Sequence, residues 1–122
     1  MTSDTCDVAG RRVFLSGPMT GVRNCNVGAF VDAHAMLKEA GAAVVYDPAI
    51  EYLAQEEPAG GLPHDHYMRR CLRELVSESR VGVRAYDLLV SLPGWRESEG
   101  ATTERMVAGA CGIECRDLSE VV

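Results

Sequence analysis

The sequence LLVSLPGWRESEGATTE, residues 88–104, decides the fold. Its apolar start predicts a buried strand over Asp87 to Leu92, and its polar, glycine-containing middle predicts a loop. The end of the stretch leads into a helix predicted over Thr102 to Ala110. In open α/β sheets, ligands bind where the carboxyl ends of strands meet loops and helix N-termini. We therefore expect Glu104 to lie at the mouth of a ligand cleft.

Strand and helix signals alternate along the rest of the chain. Further strands are predicted over Arg12 to Ser16, Ala42 to Tyr46 and Ile113 to Cys115. Further helices are predicted over Val27 to Ala40, with Asn26 as N-cap and Gly41 as stop, and from His66 to about Ser79. This alternation indicates an α/β protein: a flavodoxin- or Rossmann-like three-layer sandwich with a parallel sheet of four to five strands.

The length of 122 residues is typical of a single domain. We expect residues 1–10 to form a disordered tail, and residues 49–65, rich in Gly, Pro and Glu, to form a mobile loop. The longest apolar runs are far shorter than the roughly 20 residues that a membrane span requires. The sequence therefore predicts neither a membrane anchor nor export.

Composition narrows the class of ligand. A formal net charge of −6 argues against a nucleic-acid partner, which favours a small molecule. The five cysteines form an odd, scattered set without a C-x-x-C pair, so we expect reduced thiols in the cytoplasm, with no disulfide framework and no zinc site. The H-x-H pair at His64 and His66 lacks a defined third ligand, and we predict neither a metal nor a cofactor.

Two loops carry residue types that suit ligand binding. The first loop consists of Ser16, Gly17, Pro18, Met19, Thr20 and Gly21. Its glycines allow close backbone approach to a ligand, although a turn after a strand requires the same residue types. The second loop places Ser98 and Gly100 before Glu104, where helix N–H groups favour an anion such as phosphate. An acidic residue in a first helical turn also stabilises the helix dipole, so a structural role stays open there as well.

Four segments together resemble the nucleoside 2-deoxyribosyltransferase-like superfamily in its small phage and bacterial members. They are VFLSGPMTG (residues 13–21), NCNVGAF (24–30), YMRR (67–70) and LPGWRESEGATTE (92–104). The match extends over roughly residues 12–118, so the resemblance implies one such domain over residues 1–122. The superfamily includes nucleoside deoxyribosyltransferases and enzymes that hydrolyse the base–sugar bond of nucleoside 5′-monophosphates.

The resemblance implies roles for particular residues. The position of Glu104 is that of the glutamate that attacks the anomeric carbon of the sugar, and Ser98 is similar to the serine that holds a 5′-phosphate. Gly17, Pro18 and Gly100 are then expected to shape the pocket. The family's habit of building pockets near subunit contacts further implies a homodimer or a higher homo-oligomer.

The chain departs from the family pattern at two positions. Phe14 stands where the active enzymes commonly carry a tyrosine, and Cys71 stands where they carry an aspartate that holds or protonates the base. Glu74, one helical turn after Cys71, either replaces that carboxylate or is a solvated surface charge. Trp95 either stacks on a base or packs under its loop.

Two functions follow from these observations. The first is hydrolysis or transfer at the N-glycosidic bond of a nucleoside 5′-monophosphate or a related nucleotide, with Glu104 as nucleophile. The alternative is a catalytically altered protein that binds a nucleotide or a nucleotide-derived signal without turnover. Glu104 and Ser98 favour the first function, whereas Phe14 and Cys71 favour the second.

Overall fold

The computed structural model describes residues 7–19, 26–50 and 63–121. In chain order, its strands and main α-helices are β1 (Arg12–Ser16), α1 (Val27–Glu39), β2 (Val44–Tyr46), α2 (His64–Leu75), β3 (Glu78–Arg80), β4 (Val83–Arg84), β5 (Leu88–Ser91), α3 (Glu99–Ala110) and β6 (Glu114–Asp117). Within this part of the chain, β2, β1, β5 and β6 form a sheet in that order, and every neighbouring pair is parallel. The predicted α/β fold is confirmed.

The two faces of the sheet are covered by different helices. Val13 and Leu15 of β1 pack in one core cluster with Phe30 of α1. Phe14, between them in sequence, points to the other face and packs in a second cluster with Leu75 of α2 and Ala108 of α3. Successive strand residues point to opposite faces, so an apolar strand can serve two cores at once. The result is the expected three-layer, Rossmann-like sandwich.

The strand order reverses between β1 and β5, because the chain first adds β2 on one side of β1 and later β5 on the other. Such a switch point opens a crevice at the carboxyl ends of the two strands. Ser16, the last residue of β1, is in register with Ser91, the last residue of β5. Ser91 is in turn in register with Asp117, the last residue of β6. One edge of the sheet therefore carries a row of polar side chains.

Several boundaries differ from the sequence-based expectations. The N-cap position at Asn26 is confirmed, but its side chain makes no capping bond: the residue has φ 61°, and its Nδ2 donates to the carbonyl oxygen of Pro18 at 2.9 Å. The stop at Gly41 is confirmed, with φ 103°. Helix α2 begins at His64 rather than His66 and ends at Leu75 rather than near Ser79. The residues beyond it form an antiparallel hairpin, β3–β4, with Gly82 at φ 81° in its turn.

Parts of the predicted disordered tail and mobile loop belong to the folded domain. Val8 is buried in the α1-side core and the Gly10 N–H donates to the Gly41 carbonyl, so residues 7–10 belong to the folded domain. Residues 48–50 are helical and Ala49 is buried, while His64 already lies in α2. The remaining parts of the two predicted segments, residues 1–6 and 51–62, lie outside the described residues. Among the described helices, none has the length and apolar character needed to cross a membrane.

Candidate active site

Glu104 is a buried carboxylate at the switch point of the sheet. It lies in the second turn of α3, and only 6% of its surface is exposed. Its Oε1 accepts a hydrogen bond of 2.7 Å from the Ser16 hydroxyl at the end of β1. Because Ser16 is itself completely buried, β1 and α3 hold the two side chains in fixed positions. Glu104 was predicted to lie at the mouth of the cleft, but the structure places it on the floor of the site.

Burial dominates the protonation of Glu104. Loss of solvation disfavours the charged form and raises the pKa of Glu104 from 4.5 to about 7. Hydrogen bonds from the Ser16 hydroxyl and the Cys71 thiol act in the opposite direction, since they stabilise the carboxylate. Glu104 consequently exchanges its proton near neutral pH. Carboxyl groups with raised pKa values in clefts are typical of catalytic sites.

A cavity of about 260 Å³ opens above Glu104, between the N-terminal turns of α2 and α3. Its described lining is formed by Gly17, Met19, Pro48, His64, Tyr67, Met68, Cys71, Glu97, Ser98, Glu99, Gly100, Ala101 and Glu104. Of the residues proposed from sequence, it brings together Glu104, Ser98, Gly100, Cys71, Gly17 and Met19. Ser16 adjoins it through its bond to Glu104. Thr20 and Gly21 lie outside the described residues.

Ser98 begins α3 as its N-cap. Its Oγ accepts a hydrogen bond of 3.2 Å from the backbone N–H of Ala101, which satisfies one of the free donors of the first turn. Gly100 lies against α2, where a Cβ atom would come within 3.1 Å of Met68 Sδ. An alanine at position 100 would therefore require the Met68 side chain to shift by a few tenths of an ångström. Both residues have a structural role that coexists with their place in the cavity wall.

The loop that follows β1, from Gly17, packs closely against the loop that follows β5, from Leu92. A Cβ atom on Gly17 would lie 2.8 Å from Leu92 Cβ, so only glycine fits at this position. Pro18 contacts the other loop at Gly94, whose own Cβ would lie 3.6 Å from Pro18 Cγ. Gly94 has φ 84°, a conformation that glycine adopts without strain. The two loops thus meet at the switch point and shape the edge of the cavity.

Cys71 and Glu74 have different surroundings although they share one face of α2. Cys71 lines the cavity and hydrogen-bonds Glu104. Glu74 accepts a hydrogen bond of 2.6 Å from the Tyr86 hydroxyl and lines a separate cavity with Arg70 and Arg73. Glu74 is therefore neither a solvated charge nor part of the Glu104 cavity.

Phe14 lies in an aromatic cluster beneath the site. Its ring stacks on Tyr46 at 4.9 Å and meets Tyr86 edge-on at 5.6 Å. Ser16, two residues further along the strand, supplies the hydroxyl that bonds Glu104. Residues two apart on a strand point to the same face, so Phe14 and Ser16 both face the side of the sheet that α3 covers.

Trp95 lies on the β6 side of the same edge, outside the Glu104 cavity. Its Nε1 donates to Asp117 Oδ1 at 3.0 Å, and the Arg105 guanidinium lies 4.2 Å from its ring centre. Arg105 also donates to Ser91 Oγ at 3.0 Å and to Asp117 Oδ1 at 2.8 Å. The Arg96 guanidinium lies over the same ring at 4.4 Å. Of the two predicted roles of Trp95, packing is the one that this geometry supports.

The sequence interpretation missed several residues of this region. His64, Tyr67 and Met68 line the cavity, and their i, i+3, i+4 spacing with Cys71 at i+7 placed them on one helix face. Arg105 was missed because nothing in its local sequence separates it from an exposed arginine. Among the described residues, no group of three or more His, Cys, Asp and Glu side chains could hold a metal ion.

The chain belongs to the family described as Domain of unknown function (DUF4406), whose model matches residues 11–117. The match includes every described residue of the Glu104 cavity. Neither the curated proteins nor the solved structures contain a match to the chain.

Proposed function

We propose that this protein hydrolyses the N-glycosidic bond of a nucleoside 5′-monophosphate or a related nucleotide, or transfers the sugar to a second acceptor. The observation that carries the proposal is the buried carboxylate of Glu104. It lies at the switch point of a doubly wound sheet and faces a cavity of about 260 Å³. The proposal also rests on the resemblance of the chain to the nucleoside 2-deoxyribosyltransferase-like superfamily.

In the proposed reaction, the Glu104 carboxylate attacks C1′ of the sugar while the bond from C1′ to the base breaks. The electron pair of that bond leaves with the base, and the sugar is held as an ester on Glu104. Water or a second base then attacks C1′ and releases the carboxylate, as in retaining glycosidases. The transition state carries positive charge on the sugar, and a carboxylate in a buried site attracts that charge more strongly than one in water.

The neighbours of Glu104 suit this role. The Ser16 hydroxyl and the Cys71 thiol both donate to the carboxylate, which fixes its orientation without neutralising its charge. The first turn of α3 offers backbone N–H groups near Ser98 and Gly100 for the 5′-phosphate. The apolar side chains of Tyr67 and Met68 provide a wall suited to the base.

A binding protein without turnover is the second candidate. A carboxyl group with a pKa of about 7 is protonated in about half of the molecules at neutral pH, and its protonated form donates a hydrogen bond rather than attacking a carbon. The nucleoside 2-deoxyribosyltransferase-like superfamily carries an aspartate at the position of Cys71, and a thiol cannot act as a carboxylic acid toward the base. These two features favour recognition of a nucleotide over chemistry.

Chromatographic measurement of released base separates the two functions. The wild type, Glu104→Gln and Glu39→Gln are incubated with a panel of nucleosides and 5′-monophosphates. Glu39→Gln is the matched control because Glu39 is exposed at the end of α1, on the opposite side of the sheet. We expect base release from a monophosphate by the wild type and Glu39→Gln, and none by Glu104→Gln. Thermal stabilisation of all three proteins by one nucleotide, with no release from any, would establish the binding function instead.

The setting of the reaction is part of the proposal. We place the protein in the cytoplasm as a homodimer or a higher homo-oligomer. The described cysteines Cys71, Cys111 and Cys115 are free thiols, which suits a reducing compartment. Size-exclusion chromatography with light scattering tests the oligomeric state.

A further inference from the structure

We infer that His64 is the general acid that protonates the departing base, an inference that rests on the proposed N-glycosidic reaction. The leaving base needs such a proton because an anionic purine or pyrimidine is a poor leaving group. Cys71, at the position where the resemblance to the nucleoside 2-deoxyribosyltransferase-like superfamily implies an aspartate, hydrogen-bonds Glu104. A different proton donor is therefore required, and histidine is the general acid that enzymes use most often.

Helices α2 and α3 both line the cavity, and the contacts between them place His64 near the first turn of α3. At the level of Gly100, a Cβ atom would lie 3.1 Å from Met68 Sδ and 3.8 Å from His64 Cε1. One turn deeper in α3, Glu104 is hydrogen-bonded by Cys71. Glu104 and Cys71 therefore form the floor of the cavity, and His64 lies at its outer end.

The spacing of His64 and Cys71 along α2 is comparable to the length of a nucleotide between its reacting sugar carbon and its base. His64 lies seven residues before Cys71 in α2, which corresponds to about 10 Å along the helix axis. In an in-line displacement, the nucleophile lies about 3 Å from C1′ and the acid about 3 Å from the base atom that it protonates. The carbon–nitrogen bond and the base ring lie between these two contacts. A nucleotide that reaches from Glu104 to His64 thus has its sugar carbon on the floor and its base at the histidine.

Protons and electron pairs are conserved over the two half-reactions. In the first half-reaction, C1′ becomes bonded to Glu104, the base takes the electron pair of the broken bond, and the imidazolium of His64 gives it a proton. In the second half-reaction, neutral His64 removes a proton from the water that attacks C1′, and the ester bond to Glu104 breaks. The attacking water occupies the side that the base has left, so one residue serves as acid and then as base.

The matched control for His64 is His66. It lies two residues further along α2, its ring packs edge-on against Tyr67 at 5.3 Å, and it is not part of the cavity lining. Within the described residues, its buried Nε2 has no hydrogen-bond partner, so replacement by glutamine removes no hydrogen bond from that nitrogen. His64→Gln and His66→Gln make the same chemical change on the same helix.

The test compares guanosine 5′-monophosphate with 7-methylguanosine 5′-monophosphate. The methylated base carries a fixed positive charge and departs as a neutral molecule without a proton. We expect His64→Gln to lower kcat on guanosine 5′-monophosphate about 100-fold and to change kcat on the methylated substrate by less than about threefold. His66→Gln is expected to match the wild type on both substrates.

Other results contradict the inference in different ways. Equal losses on both substrates, or a rise in KM without a loss of kcat, would show that His64 binds the nucleotide and donates no proton to the base. Wild-type rates from His64→Gln on both substrates would exclude any role. If the wild type releases base from neither substrate, the proposed function itself fails for these purine nucleotides, and the inference fails with it.

Discussion

Glu104 and Arg105 are neighbours in α3, yet they face two different environments at the same edge of the sheet. Glu104 is 6% exposed, accepts hydrogen bonds from neutral donors at Ser16 and Cys71, and faces a cavity. Arg105 donates to Ser91 and to the Asp117 carboxylate, and its guanidinium lies over the Trp95 ring. The charge of Arg105 is therefore compensated by an opposite charge, and the charge of Glu104 is not.

This difference separates reactivity from stability. The ion pair of Arg105 with Asp117, together with the hydrogen bond to Ser91, holds α3 on the ends of β5 and β6. A buried carboxylate without a cationic partner is costly to ionise, which the raised pKa of Glu104 expresses. Such a cost is tolerated at functional sites and is uncommon elsewhere. We therefore assign the chemistry to the side of Glu104 and the anchoring of the helix to the side of Arg105.

The largest expected effect is on turnover. Replacement of Glu104 by alanine removes the proposed nucleophile, and we expect kcat/KM to fall by at least about 10⁴-fold. Formate added in the cavity supplies a carboxylate in its place and is expected to restore part of the rate of Glu104→Ala. Base release is measured with and without formate. A variant that keeps more than about a tenth of the wild-type rate without formate would remove Glu104 from the chemistry.

The next effect concerns stability and pH. The pKa of Glu104 is raised in the folded protein, to about 7 from 4.5, so the folded state retains a proton that the unfolded state has already lost. The free energy of unfolding therefore falls as pH rises from about 4.5 to about 7, by about 3 kcal/mol from this group. Glu104→Gln lacks this titration.

Urea unfolding at pH 5 and pH 8 checks this prediction. The other titratable groups are shared by the two proteins and largely cancel in the difference. We expect Glu104→Gln to become more stable relative to the wild type on going from pH 5 to pH 8, by about 3 kcal/mol. A difference that stays constant between the two pH values would show that Glu104 is ionised as easily as an exposed carboxylate.

A smaller effect is expected on the other side of the comparison. Arg105→Met removes two hydrogen bonds and a cation–π contact, and we expect it to lower the free energy of unfolding by about 2 kcal/mol. Arg96→Met is the matched control: Arg96 is exposed over the same ring, and a change within about 0.5 kcal/mol is expected. Equal stability of both variants in urea would show that Arg105 does not anchor α3.

The smallest expected effect distinguishes the two serines that end β1 and β5. Ser16→Ala removes a hydrogen bond to the Glu104 carboxylate, which raises the pKa of Glu104 further. Since the ionised form is the proposed nucleophile, we expect the acidic limb of the kcat/KM profile to move to higher pH by about one unit. Ser91→Ala removes a hydrogen bond to Arg105 instead, and we expect the acidic limb of its kcat/KM profile to stay at the wild-type pH. A shift of the same size in both variants would contradict the separation of the two sides.

The elements that surround the site were predictable because their signals are local. The apolar run of β5 and the loop that follows it predicted a strand that leads into a helix. The structure has both elements, and α3 begins three residues earlier than predicted. The β3–β4 hairpin was missed because its strands are only three and two residues long. Such short, exposed strands leave almost no hydrophobic alternation to detect.

The contacts of the site were less predictable because they join distant parts of the chain. Glu104 was identified as a candidate from its place after the β5 loop, but its partner Ser16 lies 88 residues away. The pairing depends on the register of β1 beside β5 and on the packing of α3, neither of which a local pattern contains. The same reasoning applies to Glu74, whose bond to Tyr86 depends on the path of the chain through the missed hairpin.

The most direct test of the central claim is capture of the sugar on Glu104. A 5′-monophosphate whose sugar carries fluorine at C2′ forms the ester and releases it slowly, because fluorine disfavours the positively charged transition state. Intact-mass and peptide mass spectrometry then report the adduct. We predict the mass of the fluorinated sugar phosphate on the peptide that contains Glu104, and no adduct on Glu104→Gln. Base release by the wild type with no adduct, or with an adduct on a different residue, would contradict the account.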